Sequence, residues 1–421
     1  MKIVIIVFVL FQSLNAQAIF QEYFIDKTLR FDFFHSGNDT SESIIFDELI
    51  EEPIWGGRKQ NLVDSLNLGQ YQFTISEVGT DKILYSQGFA TLFAEWQTTD
   101  EAKNMNRIYY GSVVFPYPKE KVLLSIYSRD RKNNFEKIFT YLVDPNNYFI
   151  KKKNNYLYDV DTIQYSGKPG SKYDIAFIPE GYTESKMDKF VNDCVILVNY
   201  LFQFEPFDKL KDKFNIWAVK ASSVDSLCDI PADDEWYNTI LNSSYYTFDS
   251  ERYLMTDDFK RVRDLASNAP YDQIYILANS EKYGGGAIYN HYSLTVTNNP
   301  NFKEIFLHEL GHGIAGLADE YGYDTTYNDF YQHDVEPWEK NITTLVNFDK
   351  KWESLVEQDT PIPTPSEEKY YNKNGVFEGA GYVAKGVYRS TYNSIMRSLS
   401  SDGFNKVSKE AIRDVILLYS E

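Results

Sequence analysis

Phe302-Lys303-Glu304-Ile305-Phe306-Leu307-His308-Glu309-Leu310-Gly311-His312 carries the most specific information in this chain. Pro300 keeps a helix from starting earlier, and Asn301 followed three residues later by Glu304 has the form of a capping box, so a helix is expected to begin just ahead of the histidines. At about 3.6 residues per turn, His308 and His312 stand one above the other, and both imidazoles can reach a single cation. Glu309 projects beside them, placed to take a proton from a water rather than to bind the ion. Phe306, Leu307 and Leu310 mark the helix as buried. Two unliganded imidazoles and a carboxylate would be costly there, which weighs against an ordinary polar surface helix. Histidine is also scarce: five occur in 421 residues, and two of them have the spacing a metal needs.

A catalytic zinc takes three protein ligands and keeps a position open for water. Downstream of the helix runs Gly313-Ile314-Ala315-Gly316-Leu317-Ala318-Asp319-Glu320-Tyr321. Gly316 can take the positive φ that ends a helix and turns the chain back, which lets a carboxylate three residues on approach the ion. Asp319 is the first choice of third ligand. Glu320 next to it, or His333, Glu336 or Glu339 from a following segment, stand as alternatives.

Working outward, the chain divides near residue 155. From Gln21 to about Tyr148 it alternates in the manner of strands, as in Leu29–Phe34, Gln70–Ile75 and Lys121–Tyr127, bounded by Gly, Asn and Asp. A β-sandwich over residues 17–155 is the expectation. Lys151-Lys152-Lys153-Asn154-Asn155 is polar and basic and reads as a linker. Residues 156–421 mix strands (Tyr173–Ile178, Asn215–Val219, Asp272–Leu277, Tyr292–Thr297) with a helical pattern from Glu184 to Phe204, as an α/β catalytic domain does. The fold class expected for the whole is therefore α+β to α/β. No fixed-period repeat is present, which excludes solenoids and propellers.

The formal charge of −19 argues against a nucleic-acid partner, because phosphate neutralisation needs concentrated Lys and Arg. Residues 1–16 read as a signal peptide: Lys2, the apolar run Ile3–Phe11, then small residues that place cleavage after Ala16 or Ala18. That run is shorter than a membrane span requires, so export to the periplasm or the exterior is expected. Cys194 and Cys228 could pair in such a compartment or remain buried thiols. Asp225, Asp229, Asp233, Asp234 and Glu235 form an acidic patch that could hold a structural calcium, although a solvated loop is the simpler reading.

The run HELGHGIAGLADEY, together with the later NSIMR, resembles the M64 family of zinc peptidases, the IgA peptidase family within the metzincin-like group. Glu180-Gly181-Tyr182, Glu205-Pro206-Phe207 and Gly386-Val387-Tyr388-Arg389 extend the likeness over most of the chain. The resemblance implies a strand-rich N-terminal domain and a catalytic domain with one Zn2+. It also implies His308, His312 and Asp319 as ligands, Glu309 as general base, and Met396 in a methionine-containing turn below the metal. The chain departs from the metzincin pattern, since Gly316 and Asp319 each come one residue late and the third ligand is a carboxylate.

Peptide hydrolysis develops negative charge on the carbonyl oxygen, so Tyr388, Arg389 and Tyr392, just before the Met396 segment, are candidates to stabilise it. His291 opens the run Tyr292–Thr297, which could be an edge strand that pairs with substrate backbone. The resulting expectation is a secreted zinc endopeptidase acting on a protein or peptide, an immunoglobulin, another glycoprotein or cell-wall peptides among them. The competing reading is a non-enzymatic secreted protein that binds protein or glycan.

Overall fold

The computed structural model describes residues 19–153, 157–323 and 331–420. The signal-peptide segment and its cleavage site lie outside them.

The first half is two four-stranded sheets face to face. Its strands are β1 (Phe24–Gly37), β2 (Glu42–Glu52), β3 (Tyr71–Glu77), β4 (Ile83–Phe89), β5 (Arg107–Pro118), β6 (Val122–Arg129), β7 (Phe135–Val143) and the short β8 (Lys151–Lys152), with one helix, α1 (Leu92–Trp96), after β4. One sheet has the order β5-β1-β2-β8 and the other β4-β3-β6-β7. The inner faces meet through residues such as Leu29, Phe31 and Phe33 of β1 against Phe73, Ile75 and Leu124, while the intervening Thr28, Arg30 and Asp32 are buried on the other face of β1. The expected linker begins one element later than its composition suggests. Lys151 and Lys152 form β8, paired in parallel with Ile50 and Glu51 of β2, because a basic exposed strand is well suited to a sheet edge.

The second half is built on a six-stranded sheet of order β13-β14-β12-β10-β11-β9. Here β9 is Val160–Gln164, β10 Tyr173–Glu180, β11 Phe214–Val219, β12 Gln273–Ala278, β13 Gly285–Ile288 and β14 Tyr292–Val296. The four inner strands run parallel, while β9 and β13 are antiparallel edges. Parallel strands need cover on both faces. On one face Ile175, Phe177, Tyr275 and Leu277 meet three helices, α2 (Met187–Leu201), α4 (Phe302–Ala315) and α5 (Lys406–Ser420). On the other, Ala176, Ile178, Ile274 and Ile276 meet α3 (Phe259–Ala266) and, from the first half of the chain, α1. A small third sheet follows, formed by β15 (Gly322–Tyr323), β16 (Ile342–Thr343), β17 (Phe377–Ala380) and β18 (Tyr382–Arg389). The architecture is thus mixed α+β, a strand domain ahead of a three-layer α/β unit.

The halves are also joined by buried charge. Arg30 of β1 pairs with Asp32, with Glu52 and, at 2.9 Å, with Asp264 on α3. Cys194 and Cys228 are free and buried, Cys194 in the cluster on one face of the central sheet and Cys228 in the cluster on the other, so the possible disulfide is not formed. Among the described residues no helix is long and apolar enough to cross a membrane.

Candidate active site

Helix α4 runs Phe302–Ala315, as its pattern predicts, but the capping box does not form. Asn301 has φ −97° and ψ 16° and makes no side-chain cap; its own N–H donates to Asn299 Oδ1 at 3.0 Å, and Glu304 instead accepts the Tyr200 hydroxyl at 3.3 Å. The other end is as expected. Gly316 has φ 56° and ψ 37°, its N–H donates to the His312 carbonyl, and the chain reverses. The helix lies against β14 because Gly313 has no side chain: a Cβ there would run into Ser293 Oγ and Gln273 Nε2. Ser293 Oγ–H in turn donates to the Glu309 carbonyl at 3.1 Å.

This reversal brings three donor atoms together. His308 Nε2 and His312 Nε2 lie 3.1 Å apart, and Asp319 Oδ1 lies 3.2 Å from the first and 3.4 Å from the second. Each imidazole is oriented from behind. His308 Nδ1–H donates to the Ile395 carbonyl at 2.9 Å and His312 Nδ1–H to the Leu317 carbonyl at 2.5 Å. A carbonyl can only accept, so Nδ1 carries a proton in each ring, and in the neutral imidazole the Nε2 lone pair is the one turned toward Asp319. Asp319 is held likewise: its Oδ2 accepts the Tyr382 hydroxyl and its backbone carbonyl accepts the Gly381 N–H at 2.8 Å. Its Oδ1 is buried and faces the two imidazole nitrogens alone, with no N–H or O–H donor beyond them among the described residues. Glu309 brings a carboxylate oxygen within 4.8 Å of the imidazole nitrogens, farther than Asp319, and its Oε1 lies beside Gly285 of the edge strand β13.

The electrostatics favour a cation at this point. Burial would lower the pKa of His312, but the Asp319 carboxylate outweighs it and drives it up to about 9. His308 is raised as well, burial again being overcome by the hydrogen bond to Asp319. Burial works to raise Asp319, yet the two imidazoles hold it well below the usual carboxylate range. Glu309 goes the opposite way: burial, helped by the charge of Asp319, raises its proton affinity against the pull of His308 and His312. A carboxyl with raised pKa beside strongly anchored donors is the distribution expected of a base next to a metal site. The imidazole edges remain partly open, at 13% and 16% exposure, whereas Asp319 is at 4%.

The alternatives for the third donor point elsewhere. Glu320 is fully buried and faces away: Oε1 accepts from Asn341 Nδ2 (3.0 Å) and Asn405 Nδ2 (2.8 Å), and Oε2 accepts from Ser394 Oγ (2.6 Å). Glu336 accepts the Asn347 N–H and Glu339 the Tyr331 hydroxyl, while the His333 ring lies against Gly386. Met396 is fully buried beneath the histidine helix. A Cβ on Gly311 would sit 2.8 Å from its Sδ, and its carbonyl accepts the Glu320 N–H.

Several expected contacts are not made. Arg389 is spent on backbone carbonyls, those of Glu378, Gly379 and Tyr392, which close the β17–β18 turn. Tyr388 packs at a separate small core with Phe348 and Trp352, and Tyr392 stacks on Tyr371 with centroids 3.6 Å apart. His291 is buried and stacks on Phe259 at 3.5 Å, and burial holds its pKa well below the normal imidazole value. The run it opens, β14, is internal to the sheet; the edge on that side is β13. In the acidic loop, Asp225, Asp229, Asp234 and Glu235 each accept a local hydrogen bond, and among the described residues the group of ligand-type side chains that converges is His308, Glu309 and His312. Two residues near the site had no local signal, Tyr382 and Glu95. Each is one of many of its type, brought in by a long-range contact, although Gly379-Ala380-Gly381 ahead of Tyr382 marks a tight turn.

Family models match most of the chain. One described as Peptidase M64 N-terminus covers residues 19–140, and one described as IgA Peptidase M64 covers residues 162–375 and 366–416. The chain belongs to the IgA peptidase M64 family and has the N-terminal domain of that family ahead of a metallopeptidase domain. No curated protein matches the chain.

Proposed function

We propose that this chain is an exported zinc endopeptidase in which His308, His312 and Asp319 hold the ion and Glu309 is the general base. The observation that carries this reading is the triangle of Nε2, Nε2 and Oδ1 with edges of 3.1, 3.2 and 3.4 Å. Zinc bonds of about 2.0–2.1 Å at tetrahedral angles put neighbouring ligand atoms about 3.3 Å apart. Asp319 Oδ1, buried and facing only the two imidazole nitrogens, supports the same reading, since one cation would satisfy all three atoms. A purely protein- or glycan-binding module has no use for such an arrangement.

A bound zinc supplies Lewis acidity to the scissile carbonyl and lowers the pKa of a water. Glu309 takes the proton from that water as its oxygen adds to the carbonyl carbon, and it returns the proton to the amine nitrogen as the C–N bond breaks. No covalent enzyme intermediate is involved. Met396 and the Ile395 carbonyl hold the floor and the His308 ring. Residues 17–155 and 156–421 are read as the two domains, exposed after cleavage at Ala16 or Ala18. The substrate is a protein or peptide; the family description points to immunoglobulin A as the first one to try.

The zinc-loaded protein incubated with IgA and, in parallel, with unfolded exported proteins should release discrete fragments. Glu309→Gln should keep its zinc and lose at least about a hundredfold in rate, the scale of general-base contributions. Near-normal turnover in that variant would refute the assignment of the base.

A further inference from the structure

Helix α1 belongs by sequence to the strand domain, yet it is built into the core of the peptidase domain. Leu92, Phe93 and Trp96 are buried in one cluster with Ile288, Tyr292 and Ile305. Two hydrogen bonds fix its position: Ala90 N–H donates to the Tyr289 carbonyl at 2.9 Å, and Asn290 Nδ2 donates to the Gly88 carbonyl at 2.7 Å. With these apolar residues turned inward, the acidic position of the helix is Glu95, which is half-buried.

Glu95 Oε2 accepts the hydroxyl of Tyr253. Tyr253 in turn lies along the edge strand β13. A Cβ on Gly286 would be 2.5 Å from its ring, Gly285 N–H donates to the Arg252 carbonyl at 3.3 Å, and Leu254 N–H donates to the Gly285 carbonyl at 3.4 Å. Gly285 is also the residue against which Glu309 Oε1 lies. Two successive glycines therefore separate the proposed base from a carboxylate supplied by the other domain. Burial pushes Glu95 up to about 7, the charges of Glu309 and Asp319 adding to it, while Tyr253 and His312 oppose the shift. Among the largest electrostatic influences on it the one basic group is His312, and no lysine or arginine is found there. The net charge of −19 draws cations toward the molecule as a whole.

We propose that Glu95 is a substrate-binding, specificity-determining residue: the N-terminal domain places its carboxylate in the peptidase cleft to receive a cationic group of the substrate, either a Lys or Arg side chain or a free α-amino group. The proposal rests on the peptidase reading for the position of the cleft, but its test does not need turnover. In the Glu309→Gln background, Kd is measured by fluorescence anisotropy for labelled peptides of one neutral sequence. Three forms are compared: N-acetylated, N-acetylated with a single Lys scanned along it, and with a free amino terminus. One cationic form should bind about tenfold tighter than the neutral peptide, the scale of one close charge pair. Which form binds tighter separates side-chain from terminal recognition. Adding Glu95→Gln should bring the ratio to near one, and Glu95→Lys should reverse it in favour of a Glu-scanned peptide, a gain that a misfolded variant cannot show. Equal binding of cationic and neutral peptides, or a preference that survives Glu95→Gln, overturns the proposal. Failure of the parent protein to hydrolyse any substrate, with the Glu95-dependent preference intact, would instead count against the peptidase reading.

Discussion

The hydroxyl of Tyr382 donates to Asp319 Oδ2, so the carboxylate is pinned on one oxygen and presents the other, Oδ1, to both imidazoles. The two residues are 63 positions apart and are brought together by the pairing of β15 with β18, in which Gly322 faces Tyr382. Hydrogen bonds to the outer atoms of metal ligands set orientation and typically carry about 10–100-fold in affinity. Tyr382→Phe should therefore weaken zinc binding within that range in a chelator-competition titration, with circular dichroism unchanged. An unaltered zinc affinity would mean that Asp319 is oriented by its backbone alone.

Gly311 sits between the two histidines with no room above it. A Cβ would approach Met396 Sδ and Phe404 Cε1 to 2.8 Å each. Overpacking of this kind costs about 1–3 kcal/mol. Gly311→Ala should lower the thermal midpoint by several degrees, and combined with Met396→Ala the loss should be smaller than the sum of the two separate losses. A midpoint at or above that of the parent would show that the methionine does not press on this helix.

Glu320 ties three distant segments together through Asn341, Ser394 and Asn405. Glu320→Ala removes the acceptor of Ser394 Oγ and Asn405 Nδ2 and one of the two acceptors of Asn341 Nδ2, which keeps the Ala318 carbonyl, at about 1–3 kcal/mol for each group left unsatisfied. The expected result is a large fall in stability by urea denaturation, with weakened zinc retention, since Ser394 adjoins the Ile395 carbonyl that orients His308. A variant with parental stability would remove this carboxylate from the account of how the site is held.

How far the site could be read in advance follows from the range of each interaction. The pairing of His308 with His312 is set by one helical turn, and the reversal at Gly316 by one residue's freedom at positive φ, so both were legible locally. Asp319 was reachable because it follows that reversal directly. The strand that holds Leu29–Phe34 and those beginning at Tyr71, Tyr173 and Gln273 were likewise marked by alternation or by apolar runs. What failed was decided by non-local partners. Asn301 lost its capping role to Asn299 and to Tyr200, which engages Glu304; Lys151 and Lys152 became a strand only because β2 lies beside them; and Arg389 found backbone carbonyls rather than the cleft. Tyr382 is one of 34 tyrosines, and nothing within its own stretch of sequence sets it apart as the one that meets Asp319.

Two buried histidines away from the site give the fold an acid sensitivity. His291, stacked on Phe259, and His35, with Nε2 2.8 Å from Glu42 Oε2, both have lowered pKa values, burial being the main cause. A histidine lowered in the folded state stays neutral while its unfolded form, near 6.5, takes up a proton. Its contribution to stability is thus full above about pH 6.5 and is lost as the pH falls below it. Each such group contributes a slope of up to about 1.4 kcal/mol per pH unit in that window. Urea denaturation of the parent and of His291→Phe should show the parent losing stability relative to the variant as the pH falls from about 6.5 to 5, by up to about 1.4 kcal/mol per pH unit. A difference between parent and variant that does not change with pH in this window would contradict the buried, neutral state of His291.

The most direct test is X-ray absorption at the zinc edge on protein purified with zinc present, combined with metal analysis of the parent and of Asp319→Ala. One zinc per chain with two nitrogen ligands and oxygen donors at about 2.0–2.2 Å, reduced or lost in Asp319→Ala, is the predicted result. A zinc-free parent protein, or a fully occupied site with unchanged coordination in Asp319→Ala, would contradict it.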